Sequence, residues 1–164
     1  MNSIRIADPK AIEVIQLLIH KNWHISFAES CTGGLAAAGI VDIPSASSVL
    51  DVSFVTYANE AKIKYVGVQP DAIQIHGVVS QAVAAQMAEG VAKAAGSQVG
   101  VGISGIAGPG GATDTKPVGM VCFGFYINGS TYAETMHFGD IGRNAVRQKS
   151  VEYVYSRLAA LLQS

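Results

Sequence analysis

The stretch Glu29-Ser30-Cys31-Thr32-Gly33-Gly34 constrains this chain more than any other. An apolar run over 25–28 leads into it, and a small-residue segment over 35–41 leads out. That order reads as strand, tight turn and helix. The turn then lies at a strand's carboxyl end, with a hydroxyl and a thiol beside free N–H groups at a helix start. Nucleophiles and oxyanion sites are often built there in α/β proteins.

The rest of the chain supplies strands and helices to flank that unit. Asp8-Pro9 reads as an N-cap with proline in the first turn. Ile12, Ile15, Leu18, Ile19 and Trp23 follow at helical spacing. A strand is expected over 24–28, and Pro44 ends the short helix after the turn. Residues 45–48 read as a polar loop and residues 49–57 as a strand. Asn59 is a candidate cap for a short helix carrying Lys62 and Tyr65, and Gln69-Pro70-Asp71 starts another that Gly77 breaks. Ser80 caps a long Ala-rich helix to about residue 95, with Val83, Met87 and Val91 inward. Residues 99–106 read as a strand that runs into an irregular segment over 107–112. Residues 118–127 and 131–138 flank Asn128-Gly129, the strongest short hairpin signal. The last helix is expected over 144–162, with Val151, Val154, Leu158 and Leu161 as its stripe. No repeat or linker interrupts the 164 residues. The expectation is an α/β fold: a single three-layer α/β/α domain over 1–164, on a mixed sheet with a late β-hairpin.

Charge is scarce, at 14% of residues, so each charged side chain carries more weight than usual. The net charge is −1 and no basic block is present, which argues against a nucleic-acid partner. No apolar run approaches the roughly 20 residues of a membrane span. No basic segment precedes an apolar core at the amino end, so no secretory leader is expected. Cys31 and Cys122 have no metal-type spacing and His20, His24, His76 and His137 do not cluster, so no metal site is expected. A reducing, cytoplasmic compartment follows, with a Cys31–Cys122 disulfide left open.

A serine needs an activating base to attack a carbonyl. No histidine carries a Ser–His–Asp signature here, but a lysine serves if burial brings its pKa towards neutrality. Lys10, Lys21 and Lys93 fall on polar helix faces, and Lys149 near the start of the last helix. Lys62 and Lys64 follow the strand after the motif, at the same sheet edge as Ser30 if the two strands are parallel. Lys62 stands in the polar cluster Tyr57-Ala58-Asn59-Glu60-Ala61-Lys62. For Ser30 itself, a nucleophile and a simple helix cap weigh about equally on these grounds. Cys31 is a rival nucleophile, but its simpler reading is a small buried hydrophobe. Glu29 and Asp51 either orient the lysine or act as caps and pairing partners.

The segment Gly102 to Gly111 is a glycine-rich loop after a strand, able to bring N–H groups onto an anion or amide. Gly100, Gly102 and Gly105 match G-x-G-x-x-G formally, but the match lies inside the strand and no helix follows, so a dinucleotide fold is rejected. Arg143 opens the last helix, where a cation opposes the dipole unless an anion is bound nearby. Arg143 is therefore a candidate phosphate or carboxylate clamp, with Arg147 one turn later and two solvated arginines as the plain alternative. His76, before the Ser80 cap, reads as a turn histidine.

Taken together, Ala28 to Gly34, Tyr57 to Lys62, Gly77 to Ser80, Gly102 to Gly111 and Gly139-Asp140 leading to Arg143 resemble the CinA C-terminal domain family, in the short form also met as PncC. The resemblance covers almost the whole chain. It implies nicotinamide-nucleotide amidase activity, the hydrolysis of nicotinamide mononucleotide to nicotinate mononucleotide and ammonia. It implies Ser30 as nucleophile, Lys62 as general base and Tyr57 as a helper in the same network. Backbone around Gly33 and Gly34 would hold the oxyanion, and Ser47 lies in the family's serine-rich loop near that region. Ser104 stands where many members have threonine, and with Gly105 it would contact substrate. Arg143 matches the arginine after the Gly-Asp pair, with Arg147 in reserve. A small-molecule nucleotide substrate, no cofactor, and a homodimer or larger homo-oligomer are implied. The competing class is a non-catalytic nucleotide-binding or regulatory interaction module.

Overall fold

A computed structural model describes residues 7–164, so the first six positions of the expected unit lie outside it. Five strands and six α-helices form among the described residues. Helix α1 (Pro9–Lys21) starts at Asp8, whose carboxylate accepts from the Lys10 N–H, and ends at Asn22 in the left-handed conformation. Strand β1 (Ile25–Glu29) leads through the turn to helix α2 (Leu35–Val41). A 3-10 turn (Ala46–Ser48), strand β2 (Phe54–Val55), and helices α3 (Asn59–Val66), α4 (Pro70–His76) and α5 (Gln81–Ala95) follow. Strands β3 (Val99–Gly105), β4 (Met120–Ile127) and β5 (Ser130–His137) precede helix α6 (Arg143–Gln163).

The sheet runs β2-β1-β3-β4-β5. Strands β2, β1 and β3 are parallel, while β4 and β5 are antiparallel additions, the second through the Asn128-Gly129 hairpin. Helices α1, α2 and α6 cover one face and α3, α4 and α5 the other, so the three-layer mixed sheet is as expected.

Strand β3 shows how the layers are spaced. Its Val99, Val101 and Ile103 are fully buried towards the α1 and α6 side, and the alternating Gly100 and Gly102 face α5. A Cβ on Gly102 would lie 2.3 Å from the Ala84 carbonyl oxygen, and one on Gly100 2.1 Å from that of Ala88. The Gly-x-Gly repeat is thus a seat for an Ala-rich helix lying almost on the backbone of the sheet. Gly102→Ala should lower stability at the upper end of the roughly 1–3 kcal/mol that overpacking costs. Gly110→Ala, where an added Cβ meets nothing within 4 Å, is the neutral control; urea midpoints compare the two.

Two local expectations need correction. In α1 the inward side chains are Ala11, Val14, Ile15 and Leu18, whereas Ile12 and Ile19 are 37% and 46% exposed. Ile15 and Leu18 face inward as expected, and Ala11 and Val14 complete the buried face in place of Ile12 and Ile19. The strand expected over 49–57 forms ladder only at Phe54–Val55, with one bridge from Leu50 to Ile25. Side chains interrupt it: Asp51 is drawn to His24 Nδ1 at 2.7 Å, and Ser53 Oγ takes the Phe27 N–H at 3.1 Å.

Candidate active site

Parallel pairing brings the carboxyl ends of β2, β1 and β3 to one edge, and the candidate groups hang from it. The turn after β1 is closed by Gly33 and Gly34, both at positive φ (60° and 97°), which a larger residue resists. The Ser30 N–H donates to the Ile103 carbonyl at 3.1 Å, fixing the turn to β3.

Ser30 is not the cap of α2. That task falls to Glu29, a fully buried carboxylate that accepts from the N–H groups of Gly34, Ala36 and Ala37 at 2.9–3.1 Å. An anion at a helix start is the favourable arrangement. Of its two expected roles, Glu29 therefore fills the cap, and Asp51 pairs with His24. Relieved of capping, the Ser30 hydroxyl stands 3.1 Å from Lys62 Nζ.

Lys62 is 1% exposed, on the first turns of α3. Its Nζ also donates to the carbonyls of Thr56 at 2.6 Å and Tyr57 at 3.4 Å. Among the described residues no carboxylate pairs with it. Burial pushes its pKa below the ordinary lysine value, opposed weakly by Cys31. Three acceptors surround Nζ, the Thr56 and Tyr57 carbonyls and the Ser30 hydroxyl; loss of one proton leaves two N–H bonds for the carbonyls and a lone pair for Ser30. Cys31 is buried, and desolvation pushes its thiol up to about 11, so little thiolate exists at neutral pH. Both cysteines are free, so the disulfide left open above is not formed.

The oxyanion donors need re-siting. The Gly33 N–H is committed to the Ser30 carbonyl at 3.0 Å and the Gly34 N–H to Glu29 at 3.1 Å. The N–H groups of Cys31 and Thr32 are engaged with no other described residue. Ser47 is not brought to this edge. The 3-10 turn precedes β2, and Val49 accepts from Ile25 at the start of β1. A parallel neighbour must begin at the opposite edge, so the length of β1, roughly 15 Å, separates Ser47 from Ser30.

Ser104 and Gly105 end β3 at the same edge as Ser30, although the Ser104 hydroxyl is spent on the Val78 carbonyl at 2.7 Å. Gly105 leaves room for Val121, whose side chain an added Cβ would approach to 2.7 Å. The loop beyond exposes Gly110 and Gly111, and the N–H groups of Gly108, Gly110 and Gly111 donate to no described residue. Arg143 reaches back from the start of α6, donating to the Gly108 carbonyl at 2.8 Å and the Tyr57 hydroxyl at 3.0 Å. Tyr57, 62% exposed, thus joins the network at both ends: its carbonyl meets Lys62 and its hydroxyl meets Arg143. Arg147 points elsewhere, to the carbonyls of Cys31 and Thr32.

Lys116, which fails the phosphate-loop pattern because no glycine directly precedes it and Pro117 follows, has a structural place. Lys116 Nζ donates to the carbonyls of His76 and Val79 at 2.6 and 2.7 Å and ties the glycine loop to the turn before α5. Its only signal was a lone cation five residues beyond the glycine-rich segment Gly102 to Gly111.

The family model for the CinA C-terminal domain matches residues 7–162. A CinA-like protein of Kosmotoga olearia is 43% identical over 140 residues, 85% of this chain and 34% of that protein. The chain spans about a third of the length of the curated relatives it matches. Among solved structures, a competence-damaged protein (CinA) superfamily protein from Klebsiella pneumoniae superposes with a TM-score of 0.91 at 30% identity, covering 97% of this chain and 99% of that one. The competence/damage inducible protein CihA from Agrobacterium tumefaciens gives 0.86 at 36% identity, covering 98% and 99%.

Proposed function

This chain belongs to the CinA C-terminal domain family, and on that premise we propose that it hydrolyses the amide of nicotinamide mononucleotide through Ser30 and Lys62. One observation carries the reading: a buried lysine with no carboxylate partner among the described residues, its amine 3.1 Å from a hydroxyl on a strand-end turn. Burying an ammonium is costly, and a purely structural position would be better served by an apolar side chain.

Neutral Lys62 takes the Ser30 proton as Oγ attacks the carboxamide carbon. The N–H groups of Cys31 and Thr32 face the developing oxyanion. Lys62 returns the proton to the departing nitrogen, and ammonia leaves. Water then enters along the same path, giving up a proton to Lys62, which passes it to the departing Ser30 Oγ as nicotinate mononucleotide is released, restoring the serine hydroxyl and the neutral amine. Arg143, with the open N–H groups of Gly110 and Gly111, receives the 5′-phosphate.

Purified protein given nicotinamide mononucleotide, without added metal, should release ammonia. Binding of the nucleotide without ammonia release would favour the interaction-module class instead. Arg143→Ala should raise KM for the nucleotide about tenfold or more, with kcat much less affected. An unchanged KM would mean that the phosphate is held elsewhere.

A further inference from the structure

Arg147 sits one turn into α6, and its guanidinium is turned towards the nucleophile's turn. Nε donates to the Cys31 carbonyl at 3.0 Å and Nη2 to the Thr32 carbonyl at 3.2 Å. Nη1 is fixed by Asn144 Oδ1 at 3.0 Å, which orients the fork from its own helix. These carbonyls belong to the two residues that directly follow Ser30. Glu29 holds the turn from its other side, through the start of α2. The turn is thus gripped between a carboxylate on its N–H groups and a guanidinium on its carbonyls.

We propose that Arg147 is a positioning residue for Ser30: by holding the Cys31 and Thr32 carbonyls it sets the direction of the hydroxyl and of the N–H groups beside it. The inference rests on the nucleophile reading of Ser30. A guanidinium polarises both carbonyls at once in a fixed plane, which a lysine ammonium does not reproduce. Arg147 commits Nε, Nη1 and Nη2 to protein acceptors, two of them carbonyls of the nucleophile's turn, whereas Arg143 donates to one carbonyl and to the hydroxyl of the exposed Tyr57, so the anion clamp is kept at Arg143. The outer side of Arg147 lines a cavity of about 400 Å³ between α2 and α6, walled also by Leu35, Gly39, Gln148 and Tyr155. That opening makes the place of the guanidinium reachable from solvent if the side chain is cut back.

The test follows from that access. The rate at which a fluorophosphonate probe labels Ser30 reads nucleophile reactivity independently of the natural substrate. Arg147→Ala should be labelled about tenfold to a hundredfold more slowly, the order expected when a reacting group is misplaced by about 1 Å. Millimolar guanidinium, well below denaturing concentration, should restore much of the lost rate in Arg147→Ala and do nothing to the parent chain. Arg147→Lys should recover little. Equal labelling of parent and Arg147→Ala overturns the inference. So does a slowed Arg147→Ala that guanidinium does not rescue, because a merely structural loss would behave that way. A parent chain whose Ser30 resists the probe removes the nucleophile reading itself, which is a different failure from an Arg147 variant matching a reactive parent.

Discussion

Replacing Ser30 by alanine leaves a folded chain that releases no detectable ammonia from nicotinamide mononucleotide. The expected loss is on the order of 10⁴-fold or more, as for a nucleophile with no stand-in. The fold survives because the ties of residue 30 to its surroundings are mainly backbone: its N–H to Ile103 and its carbonyl to Gly33. Only the contact to Lys62 is lost, and Lys62 keeps the Thr56 and Tyr57 carbonyls. Circular dichroism and a urea midpoint within about 1 kcal/mol of the parent would show the fold intact. Cys31 offers no substitute, since burial holds its thiol near 11. Alkylating reagents at neutral pH should therefore leave ammonia release unaltered. Substantial turnover by Ser30→Ala would transfer the chemistry to another group and sink the mechanism.

Lys62→Arg separates charge from basicity. Arginine keeps the cation but has no neutral form at accessible pH, so proton abstraction stops. Activity should fall by roughly 10²- to 10⁴-fold, the range attributed to a general base. Lys62→Ala should fall at least as far. In the parent, kcat/KM should rise with pH as Lys62 loses its proton, with the midpoint below 10.5 because burial disfavours the ammonium. The same shift has a stability sign. An amine whose folded pKa lies below its unfolded one weakens the folded state most at pH below the folded pKa. That penalty fades as pH rises towards the ordinary lysine value. A flat pH profile in the parent, or a Lys62→Arg variant of near-normal activity, would remove Lys62 from the role of base.

Much of this arrangement was legible because it is written in local chemistry. Ser80 caps α5 through its Oγ, Asn128-Gly129 makes the hairpin, and the glycine pair ends the β1 turn. The proximity of Ser30 and Lys62 followed from one topological step, parallel neighbours sharing a carboxyl edge. The same step, taken one residue group further, removes Ser47, because whatever precedes a parallel strand lies at the far edge. What the residues did not disclose depends on partners distant in the chain. Arg143 and Arg147 share a helical face, yet one meets Gly108 and Tyr57 and the other Cys31 and Thr32. In α1 the inward place of Ala11 is hard to read, since alanine carries a weak hydrophobic signal although this one is fully buried. Glu29 as the α2 cap was readable from the dipole rule but competed with a more active role.

The base and the nucleophile stand on supports of unequal strength. Ser30 follows β1, which is flanked by strands on both sides, whereas the two carbonyls that hold Lys62 leave β2, an outer strand of two ladder residues. Short outer strands open at far smaller free energies than central ones. Amide hydrogen exchange should consequently be quicker through 54–57 than through 99–105. Mild denaturant then separates the two halves of the pair while the core still holds, and inactivation precedes global melting.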